Sequence, residues 1–455
     1  MWRQLQPPFC PCCVLFFFLE VTEDVTDQGA KVNTRALALD FLLETVEKGG
    51  YSHVVMRGML EKYQYLDKKE RAFLTRLCEG TLERMLELDA IINRCSKVPV
   101  KKMKPVIRNL LRLSVYQLKY MDQIPDSAVC NEAVKMAQKK GFYSLKGFVN
   151  GVLRNIAREL PDMKFEDLSI QYSTPKWIVD QWISEYGEEK ATQMLADQYR
   201  DKPTTIRVNL SKISRDELAA RLEEEGAQVQ TVEEADCALA ISGYDYLRAL
   251  PSFREGLFQV QDVSSMKAAL MADPREGDYC IDVCAAPGGK SLHLADLMHG
   301  TGMVEARDLT EYKVGLIEEN IERTAAQNIR AVQMDATVLD EASVEKADVV
   351  LADIPCSGLG VLSKKTDLKY RMTQEQQAEL VELQRKILST VWQYVKPGGT
   401  LVYSTCTVHK EENEKNVEWF LKNCPFILKE QIQMLPGVDT WDGFFIAKLE
   451  RKRND

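Results

Sequence analysis

The chain has 455 residues, 45% of them hydrophobic and 28% charged, and its net charge is −9. Those values exclude a disordered, collagen-like or low-complexity chain, and the length calls for several domains. No apolar run approaches the roughly 20 residues of a membrane helix, and 12 scattered cysteines, too sparse for a disulfide framework, read as the reduced thiols of a cytoplasmic protein with no membrane partner.

Residues 1–30 contain Cys10-Pro11-Cys12-Cys13 and the short apolar run Val14 to Leu19, followed by the acidic stretch Glu20 to Asp27. The segment has one arginine ahead of the apolar run and no small-residue cleavage site, so it does not read as a signal peptide. It is expected to be a disordered leader or an over-extended translation start.

Residues 31–160 carry 24 Lys+Arg against 14 Asp+Glu, a net +10 that leaves −19 on the rest of the chain. This part reads as all helical. Apolar periodicity predicts helices over Arg35–Val46, Lys69–Asn93, from Pro105 onward, Asp126–Lys140 and Leu145–Glu159. Lys104, Arg108, Arg112 and Lys119 fall on one side of the third helix. With little acid nearby in sequence, that stripe is expected to meet nucleic-acid phosphates.

Residues 161–255 predict a small α/β linker subdomain. Thr204–Leu210 and Cys237–Ile241 read as strands, and Ser214–Glu225 as a helix ended by Gly226. Residues 256–455 repeat strand, turn and helix. Strands are predicted at Tyr279–Val283, Met303–Ala306, Ala331–Met334, Val349–Ala352 and Leu401–Ser404. Helices are predicted at Lys290–Met298, Glu311–Ala326 and Thr373–Val395. That alternation builds an α/β Rossmann-like sheet, which binds ligands beyond the carboxyl ends of its strands.

The first of these strands runs into Cys284-Ala285-Ala286-Pro287-Gly288-Gly289-Lys290. Neither the dinucleotide fingerprint nor the phosphate-loop pattern is present. Asp308 follows Gly288 by 20 residues, a spacing that suits a ribose diol. A nucleoside ligand without a pyrophosphate cradle fits, and S-adenosylmethionine is the obvious one. Asp335 ends the third strand, where a turn residue would serve equally.

The fourth strand ends in Asp353-Ile354-Pro355-Cys356-Ser357-Gly358, and the fifth in Ser404-Thr405-Cys406. A free cysteine is usually a small buried hydrophobe, and Cys78, Cys95, Cys130, Cys237, Cys280 and Cys424 are read so. A thiol at the ligand rim can instead be a nucleophile. Zinc needs four ligands, and with four histidines in the chain no metal is expected. Methyl transfer to carbon-5 of a pyrimidine calls for such thiols. Adding a thiolate to carbon-6 makes an enamine that can attack a methyl sulfonium. An acid near ring nitrogen-3, a place Asp353 can fill, stabilises the adduct.

Asp282 to Lys290, Asp353 to Gly358, and Tyr403 to Thr407 with Glu411-Glu412-Asn413-Glu414 resemble the motifs of RNA cytosine carbon-5 methyltransferases. Phe253 to Gly256 with Gln261 to Ser265 resembles that family's lead-in segment, and Asp442-Gly443-Phe444-Phe445 its C-terminal end. Val32 to about Glu159 resembles a NusB-type RNA-binding domain. The pairing resembles bacterial small-subunit rRNA methyltransferases of the RsmB (Sun/Fmu) type. The resemblance implies that Cys406 is the nucleophile and Cys356 the cysteine used in product release. It implies that Cys284, Ala285, Ala286, Pro287, Gly288, Gly289 and Lys290 hold S-adenosylmethionine. Asp308, Asp335 and Asp353 would line that cofactor. The implied partner is 16S rRNA, unassembled or in an early subunit, with no obligate protein partner. Ile354, Lys365-Thr366-Asp367 and Thr440-Trp441 depart from the family pattern, in loops rather than at reacting groups. Two alternatives stay open: the same reaction on tRNA or large-subunit rRNA, and a non-catalytic RNA-binding or antitermination factor.

Overall fold

The computed structural model describes residues 32–453; the expected leader lies outside them. The chain forms two compact units. One holds residues 32–196 together with the strap Leu362–Arg371. The other holds Asp197–Val361 and residues 372–453. Among the described residues no helix is long and apolar enough to cross a membrane.

The first unit is helical. Asn33 accepts from Arg35 and Ala36 to cap Thr34–Leu42, and Pro105 opens Pro105–Tyr120, a first-turn position that loses no hydrogen bond. The expected run over 69–93 is two helices, Lys68–Glu83 and Met85–Cys95, broken at Arg84. A further helix, Ser52–Lys62, had no clear periodicity, having only Ser52 and Met56 buried. Leu39, Leu74, Leu77, Leu88, Ile91, Leu110, Leu111, Leu153 and Ile156 are fully buried in its core. The strap is held inside this unit. Ser52 donates from N and Oγ to Asp367 at 3.2 and 2.7 Å, and Arg371 reaches Asp367 at 2.7 Å. The departure at 365–367 thus falls where Asp367 caps the start of the helix Ser52–Lys62.

The basic stripe does not survive. Arg108 makes a two-pronged pair with Glu47. Arg112 makes one with Asp89 at 2.7 Å and also donates to Asn109 at 3.0 Å. Lys119 pairs with Glu87. The acids come from other helices, so sequence proximity hid them, and these cations knit the bundle. Lys104 stays exposed, as do Arg94, Lys97, Lys101 and Lys102 around the preceding turn. Arg112→Met is expected to lower unfolding free energy by about 2–3 kcal/mol. That is below the usual cost of breaking a buried pair, because Asp89 keeps 22% side-chain exposure. A urea titration measures it, and an unchanged midpoint would overturn the assignment.

The second unit carries two sheets. The smaller joins β1 (Thr204–Val208), β2 (Gln228–Thr231), β3 (Ala238–Ser242) and β4 (Phe258–Val260) in the antiparallel order β2-β3-β1-β4. A capping box between Ser214 and Glu217 starts its helix, Arg215–Glu224. Its edge strand β4 lies beyond residue 255, and at three residues it is too short to show alternation.

The larger sheet joins β5 (Tyr279–Asp282), β6 (Met303–Asp308), β7 (Ile329–Gln333), β8 (Ala347–Asp353), β9 (Val395–Thr405), β10 (Phe426–Met434) and β11 (Phe444–Arg451). Its order is β10-β11-β9-β8-β5-β6-β7. The five strands expected from sequence run parallel, and β10 and β11 close one side antiparallel. This is the expected α/β Rossmann-like architecture. Its first helix, Gly289–Leu297, follows β5 directly. The helix predicted to Val395 stops at Val391, and Val395 begins β9.

Candidate active site

The parallel register brings the carboxyl ends of β5, β6, β8 and β9 to one rim. Asp353 lies opposite Ser404, and Asp282 opposite Leu351. After Asp282 the chain turns sharply. Ala285 N donates to Arg307 O at 2.8 Å, and the Ala286–Pro287 bond is cis. Gly288 sits at φ +101°, where a side chain would be strained, and starts the following helix. Asn320 donates to Pro287 O at 3.0 Å, which ties the turn to the helix Glu311–Thr324.

Asp308 and Asp353 bond to this turn, and Asp335 follows β7. Asp308 is buried, and its carboxylate accepts from Ala286 N at 3.0 Å, Leu309 N at 2.7 Å and Lys313 Nζ at 3.0 Å. Asp335 uses Oδ1 for both bonds from Thr337, each 2.8 Å. Asp353 accepts from Lys290 Nζ at 2.6 Å and from Ser404 Oγ at 2.8 Å. Burial works against the Lys290 charge, but Asp353 outweighs it and holds the ammonium above the usual lysine range. Lys290 also lies 5.2 Å over the Phe444 ring.

Asp282 is fully enclosed beneath the turn. It accepts from Ser291 Oγ at 2.6 Å, yet burial pushes its carboxyl up to about 7. An unfolded aspartate titrates near about 3.9. The folded protein therefore keeps a proton that the unfolded chain releases from about pH 4 upward. This group's contribution makes stability fall as pH rises from about 4 to about 7, then level off. Between pH 5 and pH 8 the urea midpoint of the wild type is expected to drop further than that of Asp282→Asn. Parallel drops would overturn this.

Beside Asp353 lie the two sulfurs. Cys356 Sγ is 3.3 Å from Cys406 Sγ. β8 and β9 are adjacent, a point the sequence left open. Cys356 is buried and Cys406 more exposed. The Cys406 contact, burial, and the Glu412 and Asp353 charges all push the Cys356 thiol well above the ordinary cysteine range. Burial, then Asp308 and Asp282, do the same to Cys284. Of the cysteines read as core residues, Cys95 is only half-buried and donates to Glu159 at 3.4 Å.

The geometry thus couples Asp308 with the 284–290 turn, Lys290 with Asp353, and Cys356 with Cys406. Asp335 keeps to its own local turn. Sequence reasoning gave no role to Ser291, Lys313, Ser404 or Glu412. Lys313, one turn into the helix after Asp308, was the one with a readable signal. Among the described residues no group of His, Cys, Asp and Glu is arranged to hold a metal ion.

Residues 269–450 match the family described as 16S rRNA methyltransferase RsmB/F. Residues 32–158 match the NusB family, and residues 174–244 the ferredoxin-like domain of RsmF/B-like methyltransferases. The chain is 36% identical to a protein of Bacillus subtilis named probable ribosomal RNA small subunit methyltransferase B, over 93% of this chain and 99% of that one. It is 32% identical to ribosomal RNA small subunit methyltransferase B of Klebsiella pneumoniae, again over 93% and 99%. The crystal structure of PH0851 superposes with a TM-score of 0.80 at 27% identity, covering 93% of this chain and all of that one. The structure of NSun6 from Pyrococcus horikoshii with SFG, an S-adenosylmethionine analogue, superposes with a TM-score of 0.57 at 25% identity, covering 62% of this chain and 99% of that one. The chain belongs to the RsmB/F family of small-subunit rRNA methyltransferases, enzymes that depend on S-adenosylmethionine.

Proposed function

We propose that the protein methylates carbon-5 of one cytosine in 16S rRNA through a covalent bond between Cys406 and carbon-6. The observation that carries this reading is the pair of thiols 3.3 Å apart, next to an aspartate held by a lysine and a serine. Methylation of an exocyclic amine needs neither thiol.

The residues present fit S-adenosylmethionine. The turn Cys284 to Lys290 offers small side chains for close approach, and carboxylates stand at three strand ends. The Asp308 oxygens, though engaged, retain acceptor capacity for a ribose diol, and Asp335 keeps Oδ2 clear of its own turn. When bound, the cofactor supplies an electrophilic methyl group.

Cys406 Sγ adds to carbon-6 of an unstacked cytosine and pushes electron density onto carbon-5. Asp353, facing ring nitrogen-3, carries the proton given up by the Cys406 thiol to that nitrogen, and the proton returns when the sulfur leaves, while Lys290 and Ser404 fix its orientation. After methyl transfer the carbon-5 proton leaves to a base, and carbon-6 expels the Cys406 sulfur. Cys356, buried against that sulfur, acts at this departure. The helical unit holds RNA by its phosphates, and the exposed Arg94, Lys97, Lys101, Lys102 and Lys104 form one cluster of cations that can serve this.

Bisulfite sequencing of RNA from cells with and without the gene tests the reading. One protected cytosine in 16S rRNA is expected to lose protection without the gene. Loss at a tRNA or large-subunit site instead would overturn the substrate, and no change in any RNA would overturn the reaction.

A further inference from the structure

We propose that Glu412 is a positioning residue whose buried carboxylate ties the Cys356 loop to the Cys406 loop and so sets the spacing of the two sulfurs. The proposal rests on the reading of Cys356 and Cys406 as the working thiols.

Glu412 is 0% exposed. It accepts from Ser357 N at 2.8 Å and from Ser357 Oγ, both in the loop after β8. It accepts from Thr407 Oγ1 at 3.4 Å, in the loop after β9, and lies 3.4 Å from His409 Nδ1. Gln384 Nε2 donates to it at 3.0 Å and also to Pro355 O at 3.0 Å, the residue before Cys356. Ser357 and Thr407 touch directly, Oγ to Oγ1, at 2.8 Å. One carboxylate therefore grips the residue following each cysteine.

A buried carboxylate is costly unless donors surround it. Here Ser357 N and Gln384 Nε2 supply N–H, and the hydroxyls of Ser357 and Thr407 turn toward it. Fixed donors around a fixed acceptor leave the two loops little freedom, which suits a pair of sulfurs that must act on one base. The Glu412 backbone is pinned as well. Its carbonyl accepts from Tyr403 OH and from Asn416 Nδ2, the latter at 3.2 Å.

Glutamine at this position keeps the volume but removes the charge, and its amide N–H2 turns toward the Ser357 and Thr407 hydroxyls, which must reverse from donating to accepting. The Cys356 loop keeps two backbone ties, Gly360 N to Cys406 O at 3.1 Å and Gly443 N, just ahead of β11, to Gly360 O at 2.9 Å. Glu412→Gln should therefore loosen the pair without unfolding the domain.

The test is the rate at which diamide joins Cys356 to Cys406 in the full chain, read by peptide mapping without reductant. Diamide takes two electrons and two protons from the thiols, leaving a disulfide and the hydrazine. E412Q is expected to slow the joining by about tenfold or more at unchanged S-adenosylmethionine affinity, since small displacements of reacting atoms have large rate effects. S357A, which removes one donor, should slow it less. Rates equal to wild type in E412Q would overturn the proposal. Should E412Q fail to bind the cofactor, S357A decides, and a wild-type rate there overturns it equally. No RNA enters this measurement, so a wrong reaction would appear in the bisulfite experiment and leave this result standing.

Discussion

Cys406→Ala is expected to abolish methylation, with a loss of about 10⁴-fold or more, while S-adenosylmethionine still binds. The two effects separate because the bonds that shape the 284–290 turn run through Asp282, Asp308 and Asn320. None passes through the Cys406 side chain. Without the sulfur, carbon-5 has no enamine form and cannot attack the methyl group. Asp353 keeps Lys290 and Ser404, so the acid beside the base stays in place. Transfer of a tritiated methyl group to 16S rRNA measures the loss, and calorimetry measures cofactor affinity. Methylation surviving in the variant would remove the covalent step. Loss of cofactor binding would mean that the substitution had damaged the site as a whole.

The parts of this protein legible in sequence are those governed by local rules. The strands β5, β6, β8 and β9 announced themselves as apolar runs ending in turn residues, and the 284–290 turn by its small residues and glycines. The two cysteines stood out because each follows a strand. What sequence could not carry was the pairing of distant groups. Arg108, Arg112 and Lys119 looked unbalanced because Glu47, Asp89 and Glu87 lie 23 to 61 residues away and meet them only when the helices pack. Lys290 and Asp353 are 63 residues apart, and their bond depends on β8 lying beside β5. Glu412 stood in a quoted motif without a role, since its donors, apart from Thr407, come from a loop and a helix far upstream. Short strands such as β4, with three residues, leave no periodicity to read.

Cys356→Ala is expected to do the opposite of Cys406→Ala: turnover stalls, and protein accumulates covalently attached to RNA. Cys406 keeps its sulfur and its place, so addition to carbon-6 and methyl transfer go forward. The missing thiol acts afterwards. In the wild type it sits 3.3 Å from the sulfur that must leave, and the Cys406 contact, burial and two nearby carboxylates push its thiol above the ordinary cysteine range. Its burial argues against exchanging the two roles. The more exposed Cys406 is the sulfur that substrate can reach. A slowly migrating protein–RNA band that survives sodium dodecyl sulfate reports the trapped adduct. Its appearance with Cys406→Ala instead would mean that the thiols are reversed. No band with either variant would mean that release does not depend on the second thiol, and the close pair would need another reason.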